Sequence, residues 1–82
     1  MTESQIETIK GMCTIALTKH IMSKYNLSLE DSFSRLMGTD FYKVFLNAKS
    51  GLYLEPDFFL FTACDLDLDG KTDEMYDYIE NN

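Results

Sequence analysis

Residues 2–25 read TESQIETIKGMCTIALTKHIMSKY, and this stretch decides the fold because it carries the most extended helical pattern in the chain. Its apolar residues recur at steps of three and four, the spacing that places side chains on one face of an α-helix. The members of this stripe are Ile6, Ile9, Cys13, Ala16, Leu17 and Ile21. The stretch therefore predicts a long helix with one buried face.

The same helix has apolar residues on its other side. Ile15 and Met22 fall opposite the stripe. A helix that is apolar on two faces is either central in its own fold or pressed against another subunit. A homodimer through this second face of helix 1 is therefore one expectation. Gly11 should destabilise the helix by about 1 kcal/mol relative to alanine, and it indicates a close helix crossing.

A second helix follows a clear break in the first. Asn26 and Leu27 interrupt the helical pattern, and Ser28 is a typical N-cap residue. Acidic residues follow in the first turn, where negative charge is favourable. Gly38 ends the segment. Its predicted buried face consists of Phe33, Leu36 and Met37.

Three further helices are predicted from similar signals. Thr39 and Asp40 begin a third helix, which ends at Ser50 and Gly51. A proline suits the first position of a helix, so Pro56 begins an aromatic fourth helix that runs to Cys64. Thr72 caps a short last helix. The sequence thus predicts an all-α fold, a compact bundle of about five short helices in a single domain, residues 1–82.

Charge is distributed unevenly along the 82 residues, whose net charge is −7. Residues 1–54 contain six basic and five acidic groups, whereas residues 55–82 contain nine acidic groups and one basic group. The acidic end should repel nucleic acid and attract a basic partner. A solvated acidic face that aids solubility is the alternative. Direct nucleic-acid binding is not expected.

The N-terminus and the two cysteines indicate the compartment of the protein and the redox state of its thiols. The polar N-terminus lacks the layout of a signal peptide, and no apolar run is long enough to cross a bilayer. Cys13 and Cys64 form no C-x-x-C pair, and both lie in apolar surroundings, which is typical of buried free thiols. A cytoplasmic protein without a membrane segment is expected.

The acidic stretch DLDLDGKTDEMY, residues 65–76, begins like the calcium-binding loop of an EF-hand. It has aspartates at loop positions 1, 3 and 5 and a glycine at position 6, but Tyr76 stands where a bidentate glutamate is required. Any calcium affinity would be weak, about 10⁻⁴–10⁻³ M. The candidate metal ligands are Asp65, Asp67, Asp69 and Asp73. Alternatively, Gly70 caps a helix end, with Leu66 and Leu68 packed inward and the aspartates solvated.

His20 is the single histidine, and it lies on the apolar stripe of helix 1. A lone histidine there is typical of a partly buried, hydrogen-bonded core residue. The sequence contains neither a G-x-S-x-G elbow nor a glycine-rich phosphate loop. We therefore expect no catalytic residues, no resident cofactor and no enzymatic activity.

Two short segments carry a resemblance to a known family. Residues 26–31, NLSLED, and residues 51–55, GLYLE, with an aromatic helix after them, resemble a family of small uncharacterised bacterial helical proteins. That family has an N-L-S-x-E-E-A-like second helix and a T-G-L-Y-x-E-S turn. The likeness covers about residues 12–64; Ser50 replaces the usual threonine and Pro56 the usual serine. Some similar proteins are encoded beside toxin-like enzymes, so the resemblance implies a domain of unknown function with a neutralising or accessory role.

These observations together predict a non-catalytic protein-interaction module that acts through an acidic C-terminal surface. The partner is another protein with a basic surface, because exposed aromatic groups beside charge suit transient interfaces. The predicted contact residues are Tyr53, Glu55, Asp57, Asp73, Glu74, Tyr76, Asp77, Tyr78 and Glu80. The alternative function is weak divalent-cation binding through residues 65–76.

Overall fold

The computed structural model describes residues 1–81, apart from the side chain of Ala48; Asn82, the last residue of the predicted domain, lies outside them. These residues form five α-helices and no strand, as predicted. They are α1 (Glu3–Tyr25), α2 (Leu29–Met37), α3 (Asp40–Leu46), α4 (Asp57–Leu68) and α5 (Thr72–Asn81). Two short 3₁₀ turns, Ala48–Ser50 and Leu52–Leu54, connect α3 to α4.

Helix α1 spans the molecule. Its 23 residues rise about 1.5 Å each, or roughly 34 Å in all, which matches the longest dimension of 35 Å. Thr2 caps its N-terminus through a reciprocal capping box with Gln5. Asn26 ends the helix in the left-handed conformation, with φ 54°. The chain then folds back, so that α2 packs against α1.

The core is built where α1, α3, α4 and α5 meet. Helices α4 and α5 pack against each other as a hairpin, and α1 and α3 pack against α4. Of the predicted stripe on α1, Leu17 and Ile21 are fully buried, whereas Ile6, Ile9, Cys13 and Ala16 are half-buried. The buried apolar residues are Leu17, Ile21, Leu36, Phe41, Phe45, Leu52, Phe59, Leu60, Ala63, Cys64 and Met75.

The predicted buried face of α2 is only partly right. Leu36 is fully buried, but Phe33 is 38% exposed and Met37 is 48% exposed. The position that accompanies Leu36 inside is Ser32, one turn earlier, and its hydroxyl has no hydrogen-bond partner. Helix α2 is therefore rotated so that a serine faces the core and a phenylalanine faces outward.

The predicted boundaries of α3 and α4 differ from those observed. Helix α3 ends at Leu46, because Asn47 is extended and its side chain accepts a hydrogen bond from the Lys49 amide at 3.0 Å. Helix α4 starts at Asp57, with Pro56 as its N-cap, and continues to Leu68 instead of ending at Cys64. The 65–68 part of the acidic stretch is consequently helical.

A Schellman motif ends α4. The amide of Gly70 donates to the Asp67 carbonyl, the amide of Lys71 donates to the Leu66 carbonyl, and Gly70 has φ 81°. The expected cap at Gly70 is confirmed. Gly51 likewise adopts the expected positive φ, 67°. Thr72, predicted as the cap of α5, is its first helical residue.

Lys10 is a buried lysine, which the pattern of apolar residues does not predict. It is 6% exposed, its ammonium donates to the Leu46 carbonyl at 3.0 Å, and it lies 5.8 Å from the centre of the Tyr53 ring. A cation at the carbonyl end of a helix is favourable. Lys10 therefore ties α1 to the C-terminus of α3.

Candidate functional site

Asp65 joins α4 to α1. Its Oδ1 lies 2.8 Å from His20 Nε2, and its Oδ2 lies 3.3 Å from Lys24 Nζ. The His20 ring stacks on Phe61, with 4.3 Å between ring centres and 7° between planes. His20 and Lys24 lie one turn apart on α1, as Phe61 and Asp65 do on α4. The expected role of His20 as a partly buried, hydrogen-bonded residue is confirmed.

Asp67 joins three helices. Its Oδ2 accepts a hydrogen bond from the Phe41 amide at 2.8 Å, and its Oδ1 accepts one from the Thr72 hydroxyl at 2.6 Å. The Phe41 amide belongs to the first turn of α3, where backbone donors have no partner within the helix. Asp67, on α4, therefore caps α3 from outside and holds the start of α5 in the same contact.

Asp69 follows the last residue of α4 and makes a weaker contact. Its Oδ1 accepts a hydrogen bond from the Tyr25 hydroxyl at 3.4 Å, and Asp69 itself is exposed. Asp65 and Asp67 are half-buried, so the alternative expectation of fully solvated aspartates is wrong for both. Asp65 and Asp69 thus both contact α1, whereas Asp67 contacts α3 and α5.

This arrangement separates Asp67 and Asp73 from the other two predicted metal ligands, Asp65 and Asp69, which both contact α1. Residues two positions apart on a helix point in nearly opposite directions, because each residue turns the helix by about 100°. Asp65 faces α1, Asp67 faces α3 and α5, and Asp73 is exposed on the first turn of α5. Within residues 1–81, no group of three or more His, Cys, Asp or Glu side chains is arranged to hold a metal ion.

Burial and charge shift the pKa values of several groups around Asp65. Partial burial lowers the pKa of Lys24, but the hydrogen bond and charge of Asp65 outweigh that effect, so its pKa is raised. Burial raises the pKa of Cys64 to about 12, with a further contribution from Asp65. Burial likewise raises the pKa of Tyr25, with Asp69 adding to the rise. Cys64 is consequently a protonated thiol at neutral pH.

Cys13 is the second free thiol. It is half-buried, whereas Cys64 is fully buried, so the expectation of two buried thiols holds completely only for Cys64. Burial raises the pKa of Cys13, and the negative charge of Asp57 raises it further. Both cysteines are therefore weak nucleophiles.

Helix α5 presents an acidic face to solvent. Asp73, Asp77 and Glu80 follow at helical spacing, so they lie within about 60° of one another around the axis. All three are exposed, whereas Met75 on the opposite side is fully buried. Glu74 and Tyr76, which is 42% exposed, flank the row. We call Asp73, Glu74, Tyr76, Asp77 and Glu80 the α5 acidic face.

The acidic side chains of this face have no ion-pair partner within residues 1–81, where the ion pairs are those of Asp65 and Asp40. Helix α5 also has no basic residue in its last turn. Negative charge near a helix C-terminus is unfavourable, because the dipole there is already negative. Asp77 and Glu80 therefore do not stabilise the helix that carries them.

The other predicted contact residues lie elsewhere. Tyr78 packs on Phe59, with 4.9 Å between ring centres, and is half-buried. Tyr53 is half-buried beside Lys10. Glu55 and Asp57 precede and begin α4, and the Phe59–Tyr78 contact sets the start of α4 beside the end of α5. The two acids thus lie toward the same end of the hairpin as Glu80.

An apolar groove between α1 and α2 was only partly predicted from the sequence. Six residues line this cavity of about 280 Å³, namely Thr14, Ile15, Thr18, Leu29, Glu30 and Phe33. Ile15 was predicted to lie off the buried stripe, and it is 58% exposed; Met22, predicted on the same face, is half-buried. Leu29 and Phe33 could not be assigned to an open surface without knowing the rotation of α2.

Comparison with known proteins gives no relative for this chain. No family model matches it, and no curated protein or solved structure is significantly similar to it. Within residues 1–81, no helix has both the length and the apolar character needed to cross a membrane.

Proposed function

We propose that the protein is a non-catalytic interaction module whose α5 acidic face binds another protein through a basic surface. The observation that carries this proposal is the exposed row of Asp73, Asp77 and Glu80, which lacks ion-pair partners within residues 1–81. Opposed charge steers association and selects the partner. The role we infer is that of a neutraliser or accessory factor that occupies the basic surface of its partner.

The position of these acids supports a role outside the fold. Asp65 and Asp67 hold helices together, so their charges are used within the chain. Glu80 lies in the last turn of α5, where its charge opposes the helix dipole, and Asp77 lies one turn after the like charge of Asp73. Tyr76, 42% exposed beside them, offers an aromatic ring of the kind enriched in interfaces.

A capture experiment tests the proposal. The wild-type chain and the Asp77→Asn/Glu80→Gln variant are immobilised and exposed to a lysate of cells that express the protein. The expected result is a protein with a basic surface that the wild type retains, that salt releases, and that the variant fails to retain. Salt release is expected because screening weakens exposed charge pairs.

The matched control is the Glu3→Gln/Glu7→Gln variant, which removes the same charge from the exposed N-terminal part of α1. It should retain the partner as the wild type does. Failure of the wild type to retain any basic protein at low salt would contradict the proposal. Equal loss of the partner from both double variants would contradict the assignment to α5.

A further inference from the structure

The α1–α2 groove exposes three large apolar side chains that share one cavity. Ile15 is 58% exposed, Leu29 is 61% exposed and Phe33 is 38% exposed. Their cavity of about 280 Å³ is also lined by Thr14, Thr18 and Glu30. Contiguous apolar surface of this kind is unfavourable in water and is typical of an interaction site. The groove is separate from the α5 acidic face.

Gly11 lies one helical turn before Ile15 on the same side of α1. A Cβ atom built at Gly11 meets nothing within 4 Å, so no contact within residues 1–81 requires a glycine there. A glycine inside a helix is less favourable than alanine. The close helix crossing expected at Gly11 is therefore absent within residues 1–81.

The groove has charges of opposite sign on its two sides. Glu30 lines the α2 side, and Lys19 lies one turn after Ile15 on the exposed side of α1. Neither side chain has an ion pair within residues 1–81, where the pairs involve only His20, Lys24, Lys43, Asp40 and Asp65. A surface with an apolar centre, one basic side and one acidic side is complementary to itself.

We propose that the α1–α2 groove is the interface of a homodimer. A twofold axis along the groove places Lys19 of one copy opposite Glu30 of the partner subunit, and the reverse, so the contact has two equivalent ion pairs. Ile15, Leu29 and Phe33 of both copies fill the centre. The net charge of −7 opposes self-association elsewhere, whereas this groove offers a basic residue to meet each acidic one.

Charge exchange in the 82-residue chain tests this dimer by sedimentation equilibrium over a range of concentrations. Lys19→Glu and Glu30→Lys each convert two attractive contacts into two repulsive ones, so each variant should weaken the dimer about tenfold or more. The Lys19→Glu/Glu30→Lys double variant restores opposite charges and should regain most of the affinity. Ile15→Ser, at an exposed position, should also weaken the dimer.

Matched controls separate the interface from the effect of net charge. Lys49→Glu and Glu80→Lys change the net charge equally but at exposed positions outside the groove. Both should leave the dimer within about threefold of the wild type, since distant exposed charges are screened. Far-ultraviolet circular dichroism confirms that each variant is folded. A chain that stays monomeric at every concentration, or single exchanges that leave the dissociation constant unchanged, would overturn the proposal.

Discussion

His20 Nε2 lies 2.8 Å from Asp65 Oδ1 although 45 residues separate them in the chain. This contact joins the C-terminal half of the longest helix to the last turns of α4. Lys24 binds the second oxygen of the same carboxylate at 3.3 Å, and Phe61 covers one face of the imidazole. An aspartate that begins a calcium-loop pattern in the sequence thus fastens two helices.

A double-mutant cycle measures this contact. His20→Gln and Asp65→Asn should each lower the free energy of unfolding by about 0.5–1.5 kcal/mol, because a charge-assisted hydrogen bond is lost. The coupling energy between the two substitutions should be about 0.5–1 kcal/mol, since both side chains are partly exposed. Urea unfolding of the four proteins at pH 6 supplies it. Strictly additive effects would show that the two side chains do not interact in solution.

Asp67 should be the most important aspartate for stability. Asp67→Ala leaves the Phe41 amide and the Thr72 hydroxyl without their partner, so the expected loss is about 2–3 kcal/mol in the free energy of unfolding. Asp69→Ala is the matched control, and its exposed 3.4 Å contact predicts a loss below about 0.5 kcal/mol. Chemical denaturation compares the two. Similar losses for both variants would contradict the assigned role of Asp67.

Ser32 offers a stabilising substitution. Its hydroxyl is fully buried without a hydrogen-bond partner, and the residue lies inside α2. Ser32→Ala removes the unpaired group and introduces the best helix former, so it should raise the free energy of unfolding by about 0.5–1 kcal/mol. A higher thermal midpoint in circular dichroism is the expected readout. A clear decrease would mean that the hydroxyl has a partner in solution.

Local sequence predicts some helix ends in this chain, but it does not predict which face of α2 is buried. Ser28 and Gly38 mark ends that local rules recognise, because capping depends on residues within one turn. The exposed Phe33 and the buried Ser32 were not predicted from the sequence. The docking of α2 on α1 decides which side of this nine-residue helix faces the core. The spacing of apolar residues within α2 does not predict that docking.

The roles of the aspartates in the acidic stretch could not be predicted from local sequence either. Residues 65–70 fit the start of a calcium loop, yet Leu66 and Leu68 pack against the core and keep the chain helical through Leu68. Among the partners of Asp65 and Asp67, His20 and the Phe41 amide lie 45 and 26 residues away. Contacts at such separations leave no trace in local spacing. The exposed acids of α5, by contrast, follow directly from helical periodicity.

Thiol labelling tests the packing around Cys64 through its pH dependence. Burial raises its pKa to about 12, so the native thiol should stay protonated up to pH 9 and react slowly with iodoacetamide throughout. In the unfolded chain the pKa is about 8.5, and reactivity should rise about tenfold per pH unit below that value. The C13S variant isolates the signal of Cys64. Rapid native labelling that follows a pKa near 8.5 would contradict this burial.

The sign of the corresponding stability change follows from the same shift. Folding raises the pKa of the Cys64 thiol, so the protonated thiol stabilises the native state. This contribution is fully present below the pKa of the thiol in the unfolded chain. That contribution is lost as the pH rises from about 8.5 toward 12. The free energy of unfolding should therefore fall over this alkaline range, and less steeply in a C64A variant.

Asp65 and Asp67 hold helices together, and we propose that Asp77 and Glu80 instead serve a surface and not the fold. The free energy of unfolding of the Asp77→Asn/Glu80→Gln variant at low salt tests this most directly. Removal of one charge that opposes the α5 dipole, on Glu80, and of one that repels Asp73, on Asp77, should raise it by about 0.5–1 kcal/mol. A decrease of 1 kcal/mol or more would show that Asp77 and Glu80 stabilise the fold, which contradicts a role confined to the surface.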